Sequence, residues 1–236
     1  ALLGDNVVER SQNTPWYTGP SVLEILETTE PAKNTVDVER GLRFPIQIVI
    51  RDHATDYRGY AGRVTAGTVS VGDTVLADGR EAVIEGIDGP AGEQQSATRG
   101  ESVSLRLDRE IDLSRGDIIA AQDLPEPQQS FTATVFHLSE SPVRLRSNVL
   151  VRYGTALVRG RVDEVIRRVD ISGRNRSEEE IAHGNADELA LNDIAEVRVT
   201  VAEPLPVEPY RRGGRVGSLL LVNPGSGDTL TAGLVN

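Results

Sequence analysis

The chain has 236 residues, a net charge of −11 and no cysteine. That is enough polypeptide for one to two domains, and it excludes disulfides and cysteine-ligated metals. The acidic balance repels nucleic acid unless a local basic stripe overrides it. No run of eighteen apolar residues is present, so no membrane contact is expected. The first fifteen residues include Asp5, Glu9 and Arg10 and lack the apolar core of a signal peptide, and the cytoplasm is the expected compartment. Methionine is absent even at position 1, and the expectation is a piece of a longer protein.

In chain order, the first predicted element is a short helix. Ser21 and Glu24 have the spacing of a capping box, and Val22, Ile25 and Leu26 fall on one helical face. A helix this short is marginal alone in water, so its apolar face is expected to dock. Glu30–Thr35 reads as a linker, because Pro31 blocks helix continuation and the small polar residues offer no core face. From Phe44 onward the pattern is short strands: Ile46, Ile48 and Ile50 alternate with Gln47, Val49 and Arg51. Arg63–Val69, Thr74–Leu76, Ala82–Ile87 and Ser102–Leu107 follow, with a turn at Val71-Gly72-Asp73. Turn signals every 8–12 residues indicate a sandwich or barrel, and closure into a barrel removes exposed edges. Asp123-Leu124-Pro125-Glu126-Pro127 suits an extended linker. A second β set is read at Phe131–Leu138, Asn148–Tyr153, Ala156–Val169, Ala195–Val201 and Ser218–Val222. The charged stretch Ser172–Glu188 interrupts it as a solvated loop.

Arg58-Gly59-Tyr60-Ala61-Gly62-Arg63-Val64, then Gly67 and Val71-Gly72-Asp73, resembles the second domain of translational GTPases. Gly59 and Gly62 there permit tight curvature in a small barrel. Phe44-Pro45-Ile46-Gln47, Glu110–Asp117, Leu191-Asn192-Asp193-Ile194, Glu203-Pro204-Leu205 and Gly217–Leu221 narrow the resemblance to the large subunits of sulfate adenylyltransferase. At the front, Gly4–Val8 and Pro15-Trp16-Tyr17 extend it. In that family the front segment closes the GTPase domain, and Ala1-Leu2 would be the remnant of a guanine-reading motif.

The resemblance implies an all-β fold of two consecutive translation-factor-type β-barrels, preceded by the short helical tail of a missing GTPase domain. Its expected divisions are 1–42 (tail and linker), 43–125 (first barrel) and 126–236 (second barrel). It implies a GTPase-coupled nucleotidyltransferase in which ATP and sulfate are joined into adenosine 5′-phosphosulfate. The partner would be a small catalytic subunit, and in some members an adenylylsulfate kinase domain is fused on. No phosphate loop or Asn-Lys-x-Asp motif occurs in this sequence and no GTPase switch is read in it, so no catalytic, cofactor or metal residue is assigned here. GTP and Mg are expected on the missing GTPase domain. The barrels would act as a lever between nucleotide switch and catalytic partner, with the tail helix and the linker Pro31–Leu42 as hinge. The alternative is a pair of elongation-factor domains binding tRNA, which the acidic charge opposes.

Candidate partner contacts are Arg58, Tyr60, Arg211, Arg212, Arg215 and Trp16. Arg58 and Tyr60 lie where translation factors hold the aminoacyl end of tRNA, and a barrel-structural role is the favoured reading. Arg211, Arg212 and Arg215 form the one dense basic patch, suited to phosphate or to an acidic partner face; a charged hairpin tip is the favoured reading, because exposed charges contribute little. Trp16 could be an exposed partner patch, with stapling of the GTPase-domain tail onto a barrel favoured. His53, His137 and His183 lack partners at ligand spacing and read as surface or barrel-edge residues. Adjacent carboxylates do not converge on one ion, so Glu178-Glu179-Glu180 reads as solvated loop.

Overall fold

The computed structural model describes residues 3–29, 36–37, 40–52, 54, 56–169 and 187–236. They divide into two compact units, Ala1–Asn34 and Thr35–Asn236. In the first, helix α1 (Val22–Thr28) starts at the expected capping box. Glu24 N–H donates to Ser21 Oγ at 3.2 Å, and Ser21 N–H donates to Glu24 Oε2 at 2.7 Å. These bonds satisfy two donors that a helix N-terminus otherwise leaves open. No residue of α1 is buried, and Leu26 is 69% exposed.

The second unit is β throughout. Its first barrel contains β1 (Arg43–Asp52), β2 (Tyr57–Arg63), β3 (Thr68–Ser70), β4 (Thr74–Ala77), β5 (Arg80–Gly89), β6 (Gly92–Gln94), β7 (Ser96–Thr98), β8 (Ser102–Leu107) and β9 (Ile118–Ala120). The order β4-β9-β1-β2-β8-β5-β6, with β4 also paired to β5, closes the sheet into a ring. Phe44, Ile46, Ile84, Ile87, Leu105 and Ile119 fill it, each fully buried. Gly62 lets β2 approach β1, since a Cβ there would stand 2.5 Å from the Pro45 carbonyl oxygen.

Two sequence expectations are corrected here. The alternation of Ile46, Ile48 and Ile50 does not hold through β1: the register slips between Ile46 and Ile48, a bulge that turns the end of the strand outward with Ile48 58% exposed. Arg63–Val69 is not one strand either. Backbone bonds from the Thr65 and Ala66 amides to the Arg43 carbonyl, and from Gly67 to Asp37, carry the chain out of the ladder between β2 and β3.

The second barrel contains β10 (Gln128–His137), β11 (Val143–Arg144), β12 (Val149–Tyr153), β13 (Ala156–Val169), β14 (Glu188–Leu189), β15 (Ile194–Leu205), β16 (Ser218–Val222) and β17 (Thr229–Val235). It closes in the order β10-β15-β13-β12-β16-β17. Val135, Val151, Val162, Val197, Val199 and Leu221 are sealed inside. β-branched residues dominate this core, as expected for strands whose inner face packs against a closed sheet. The β17 strand went unread in the sequence, because Thr229–Val235 carries Gly233 beside the small Ala232 and shows only weak alternation.

His137, read as a surface or barrel-edge residue, ends β10 and is buried, at 1% exposure. Its Nε2 lies 3.0 Å from the Ser141 carbonyl oxygen and its Nδ1 2.8 Å from Thr231 Oγ1. A carbonyl only accepts, so Nε2 carries the proton and Nδ1 accepts from the threonine hydroxyl. His53, His183, Glu178, Glu179, Glu180 and the body of the 172–188 stretch lie outside the described residues.

Candidate functional site

The charged groups of greatest burial gather where the two barrels meet. Arg43 opens β1 with its side chain 2% exposed, and its guanidinium reaches across to Glu208 of the second barrel. The pair is bidentate: Nε to Oε1 at 2.6 Å and Nη2 to Oε2 at 3.0 Å. Nη1 also donates to Asp123 Oδ1 at 2.8 Å, which ties in the linker between barrels. Planar guanidinium and carboxylate match edge to edge, and this fixes relative direction as well as distance. Burial works against the Arg43 charge, but the bonds and charges of Glu208 and Asp123 more than offset it and hold its pKa above the usual arginine value. The Arg43 hydrogen bond in turn holds the Asp123 carboxyl below its ordinary pKa.

A second layer surrounds this pair. Arg40 Nη1 donates to Glu208 Oε2 at 2.7 Å and Nη2 to the Pro209 carbonyl at 2.9 Å. Its Nε stands 3.2 Å from Oδ1 of Asp37, a charge contact outside hydrogen-bond geometry. Asp37 is fully buried, and its Oδ2 accepts the Arg215 backbone N–H at 2.9 Å. Tyr153 Oη accepts the Glu208 N–H at 3.0 Å. Burial pushes the Tyr153 pKa up, and the nearby Glu208 charge adds to the rise. Asp37 and Arg40–Leu42 fall in the stretch read as a hinge, and these described residues contribute to the junction.

The six sequence candidates do not form one site. Arg211, Arg212 and Arg215 are exposed and make no side-chain ion pair or hydrogen bond among the described residues. Their loop is nevertheless held: the Gly214 N–H bonds the Arg211 carbonyl at 2.7 Å, the Arg215 N–H bonds Asp37, and Arg99 Nη2 donates to the Gly213 carbonyl at 3.4 Å. This is a cationic tip fixed to both barrels.

Arg58 and Tyr60 stand elsewhere, on β2. Tyr60 is a core residue, 1% exposed, rather than a surface contact, with its hydroxyl on the Ile111 carbonyl at 2.7 Å. The Arg58 guanidinium carbon lies 5.5 Å from the Tyr60 ring centroid, with Nη2 on the same carbonyl at 2.6 Å and Nη1 3.4 Å from Glu110. Both residues line a hollow of about 430 Å³, in which Arg106 and Arg109 are likewise paired with carboxylates. Trp16 belongs to the first unit, 79% exposed, with Tyr17 edge-on at 6.2 Å.

Among the described residues no group of His, Asp or Glu side chains is placed to hold a metal, and no helix is long and apolar enough to cross a membrane. The junction was missed by sequence reading. Its one local signal is the pairing of Arg43 and Asp123 at opposite ends of the first barrel, and nothing in the spacing singles out Glu208.

Two barrels of this kind, in this order, define the barrel pair of translation-factor-like proteins. Solved structures of Sup35 agree: the complexes with GDP and with GMPPNP superpose with TM-scores of 0.71 and 0.72 at 20% identity, covering 99% of this chain and 56% of theirs. Residues 130–236 match the family described as GTP-eEF1A C-terminal domain-like. The chain is also 38% identical over its full length to the bifunctional enzyme CysN/CysC of Mycobacterium tuberculosis (strain CDC 1551 / Oshkosh). It is 34% identical to sulfate adenylyltransferase subunit 1 of Bacteroides fragilis (strain YCH46). It is similar to both over its full length, and it spans 38% and 48% of the length of those two relatives.

Proposed function

We propose that the chain supplies the barrel pair of the GTP-hydrolysing subunit of a sulfate adenylyltransferase, and that the pair carries the nucleotide-dependent displacement to a small catalytic subunit. The reaction served is the joining of ATP and sulfate into adenosine 5′-phosphosulfate in the cytoplasm. The GTP, its Mg and the phosphate chemistry belong to a GTPase domain; an adenylylsulfate kinase domain is a further expected companion. The observation that supports this reading most is the buried Arg43–Glu208 pair. A lever transmits displacement only if its parts keep their mutual orientation, and a bidentate pair between barrels does that. The anchored loop with Arg211, Arg212 and Arg215 is the proposed contact with an acidic face of the catalytic subunit, with Arg58 and Trp16 as secondary contacts.

The test uses the barrel pair joined to its GTPase domain and mixed with the catalytic subunit. Co-purification, with adenosine 5′-phosphosulfate formed in proportion to GTP hydrolysed, is the expected result. In Arg43→Met the hydrolysis continues while product per GTP falls, because coupling free energy depends on the two states being mechanically distinct. Failure of the restored protein to form the complex would remove the proposal. Salt-sensitive tRNA binding in its place would move the assignment to an elongation factor.

A further inference from the structure

A second feature of the barrel junction is a cleft of about 490 Å³, walled by Pro45 and Ile118 on one side and by Leu157, Val158 and Leu205 on the other. The linker Leu124–Pro127 lines it as well. Its size falls in the range of about 300–1,000 Å³ that ligand sites occupy.

Two independent observations describe what would fill it. The first is an interrupted ladder. β13 pairs with β15 from Val169 as far as Gly160↔Val201 and no farther. Continued in the same register, Leu157 would face Pro204, which has no N–H to give. On its other edge β15 stays with β10, Thr200 opposite Ser130 and Leu205 opposite Gln128. The β12–β13 hairpin turns at Gly154 (φ 57°) with Tyr153 paired to Ala156. By the alternation of antiparallel pairing, the Leu157 N–H and C=O then point away from β12, toward the cleft. Leu157 is 46% exposed. This is a short free strand edge at the wall of a mainly apolar groove, the arrangement by which extended peptides add to a sheet.

The second is charge. Asp78, Glu126 and Glu203 stand among the lining residues, exposed and without an ion pair among the described residues. Asp117 is already engaged, accepting the Ser114 N–H at 2.7 Å. Arg115 is the one cation of the lining, and its Nη1 lies 3.4 Å from the Gln47 carbonyl. An unbalanced acidic rim attracts cations and repels another acidic surface.

We infer that this cleft receives an extended segment of a partner protein bearing alternate basic and aliphatic side chains, laid along the free edge of β13 at Leu157 with its cations toward Asp78, Glu126 and Glu203. The inference stands apart from the proposed enzyme assignment, since it uses only the groove, its edge and its charge.

The probe is a fluorescein-labelled Arg-Val-Arg-Leu-Arg-Val peptide, titrated into the 236-residue chain and followed by anisotropy and by amide NMR shifts. Saturable binding is expected, with the largest shifts at Leu157 and around Asp78. Affinity should fall about tenfold in the combined variant Asp78→Asn, Glu126→Gln and Glu203→Gln, whose exposed carboxylates bear no folding contact. A peptide N-methylated at alternate residues should bind at least as weakly, because main-chain bonds carry strand addition. Equal binding by the neutralised variant, undiminished binding of the N-methylated peptide, or shifts mapping elsewhere would each overturn the inference. So would absence of saturation, or dimerisation of the chain that the peptide displaces, which would make a second copy the occupant.

Discussion

Replacing Glu208 by alanine is the sharpest probe of the barrel junction. The carboxylate accepts from two guanidiniums, Arg43 through both its oxygens and Arg40 through Oε2. Arg43 stays 2% exposed, so water cannot take over freely. What remains to it is Asp123, whose own side chain is 58% exposed, and the carbonyls of Leu42 and Asp123. Removing one partner of a buried pair costs about 3–5 kcal/mol, because the other charge is left without compensation. For a unit of this size each kcal/mol moves the melting temperature by about 2–4 °C, so a fall of roughly 6–20 °C is expected. Urea unfolding followed by far-UV circular dichroism measures the loss, and tryptophan fluorescence is unsuitable because Trp16 lies in the first unit. The double variant Arg43→Met with Glu208→Leu should recover the part of the loss that the stranded Arg43 causes, since apolar groups of similar volume replace a buried pair at little cost, while Arg40 keeps Asp37 and the Pro209 carbonyl. A loss for Glu208→Ala below about 1 kcal/mol, the value of an exposed pair, would refute the account.

Two further outcomes follow from buried polar groups. The pKa of Tyr153 is raised by burial and then by the Glu208 charge. Its neutral form is therefore favoured by folding, and the associated stability is intact below the ordinary tyrosine value of about 10 and is lost as pH climbs from there through the folded value. Phenolate absorbance at 295 nm should show Tyr153 titrating late, and Tyr153→Phe should remove that part of the alkaline decline; an unchanged decline would count against it. His137→Phe keeps the ring volume but leaves the Thr231 hydroxyl and the Ser141 carbonyl without partners, at a cost of about 1–3 kcal/mol by thermal melting. Long-range ¹⁵N NMR of the native ring should show the proton on Nε2, and the opposite tautomer would contradict the geometry.

What the sequence made legible was local. The capping box of Ser21 and Glu24 is a four-residue pattern, and the structure carries both of its bonds. Ala156–Val169 and Ser218–Val222 emerge as strands with their predicted bounds, because alternation and flanking turns define a strand without help from distant residues. Legibility failed where a distant partner decides. The bulge after Ile46 depends on how β2 registers against β1, so the alternation of Ile46, Ile48 and Ile50 in the sequence does not show that the last two stand outside in the fold. His137 looked like an edge residue until closure of the barrel brought Thr231 to its ring. Arg43 and Glu208 are 165 residues apart, and each in isolation is an ordinary charged residue. The arginines at 211, 212 and 215 were visible as a patch, but the buried Asp37 that anchors their loop was not.

The placement of charge bears on how the two barrels work as a pair. Each barrel core is apolar, with β-branched and aliphatic residues sealed inside a cluster of its own. Apolar contact alone between the barrels would hold them together without fixing an angle, since the hydrophobic effect is non-directional. The junction instead sets a planar guanidinium against a carboxylate, backed by Arg40, Asp37 and the Asp123 linker. Such a cluster contributes little net stability over an apolar replacement, yet a misaligned arrangement would strand buried charges at a cost of several kcal/mol. The consequence is a separation of roles: the Arg43→Met, Glu208→Leu protein should fold about as well as the native chain while allowing the barrels a wider range of mutual angles. Small-angle scattering reads the angle directly, and a double variant as narrowly oriented as the native chain would show that the apolar rim, not the charges, sets the geometry.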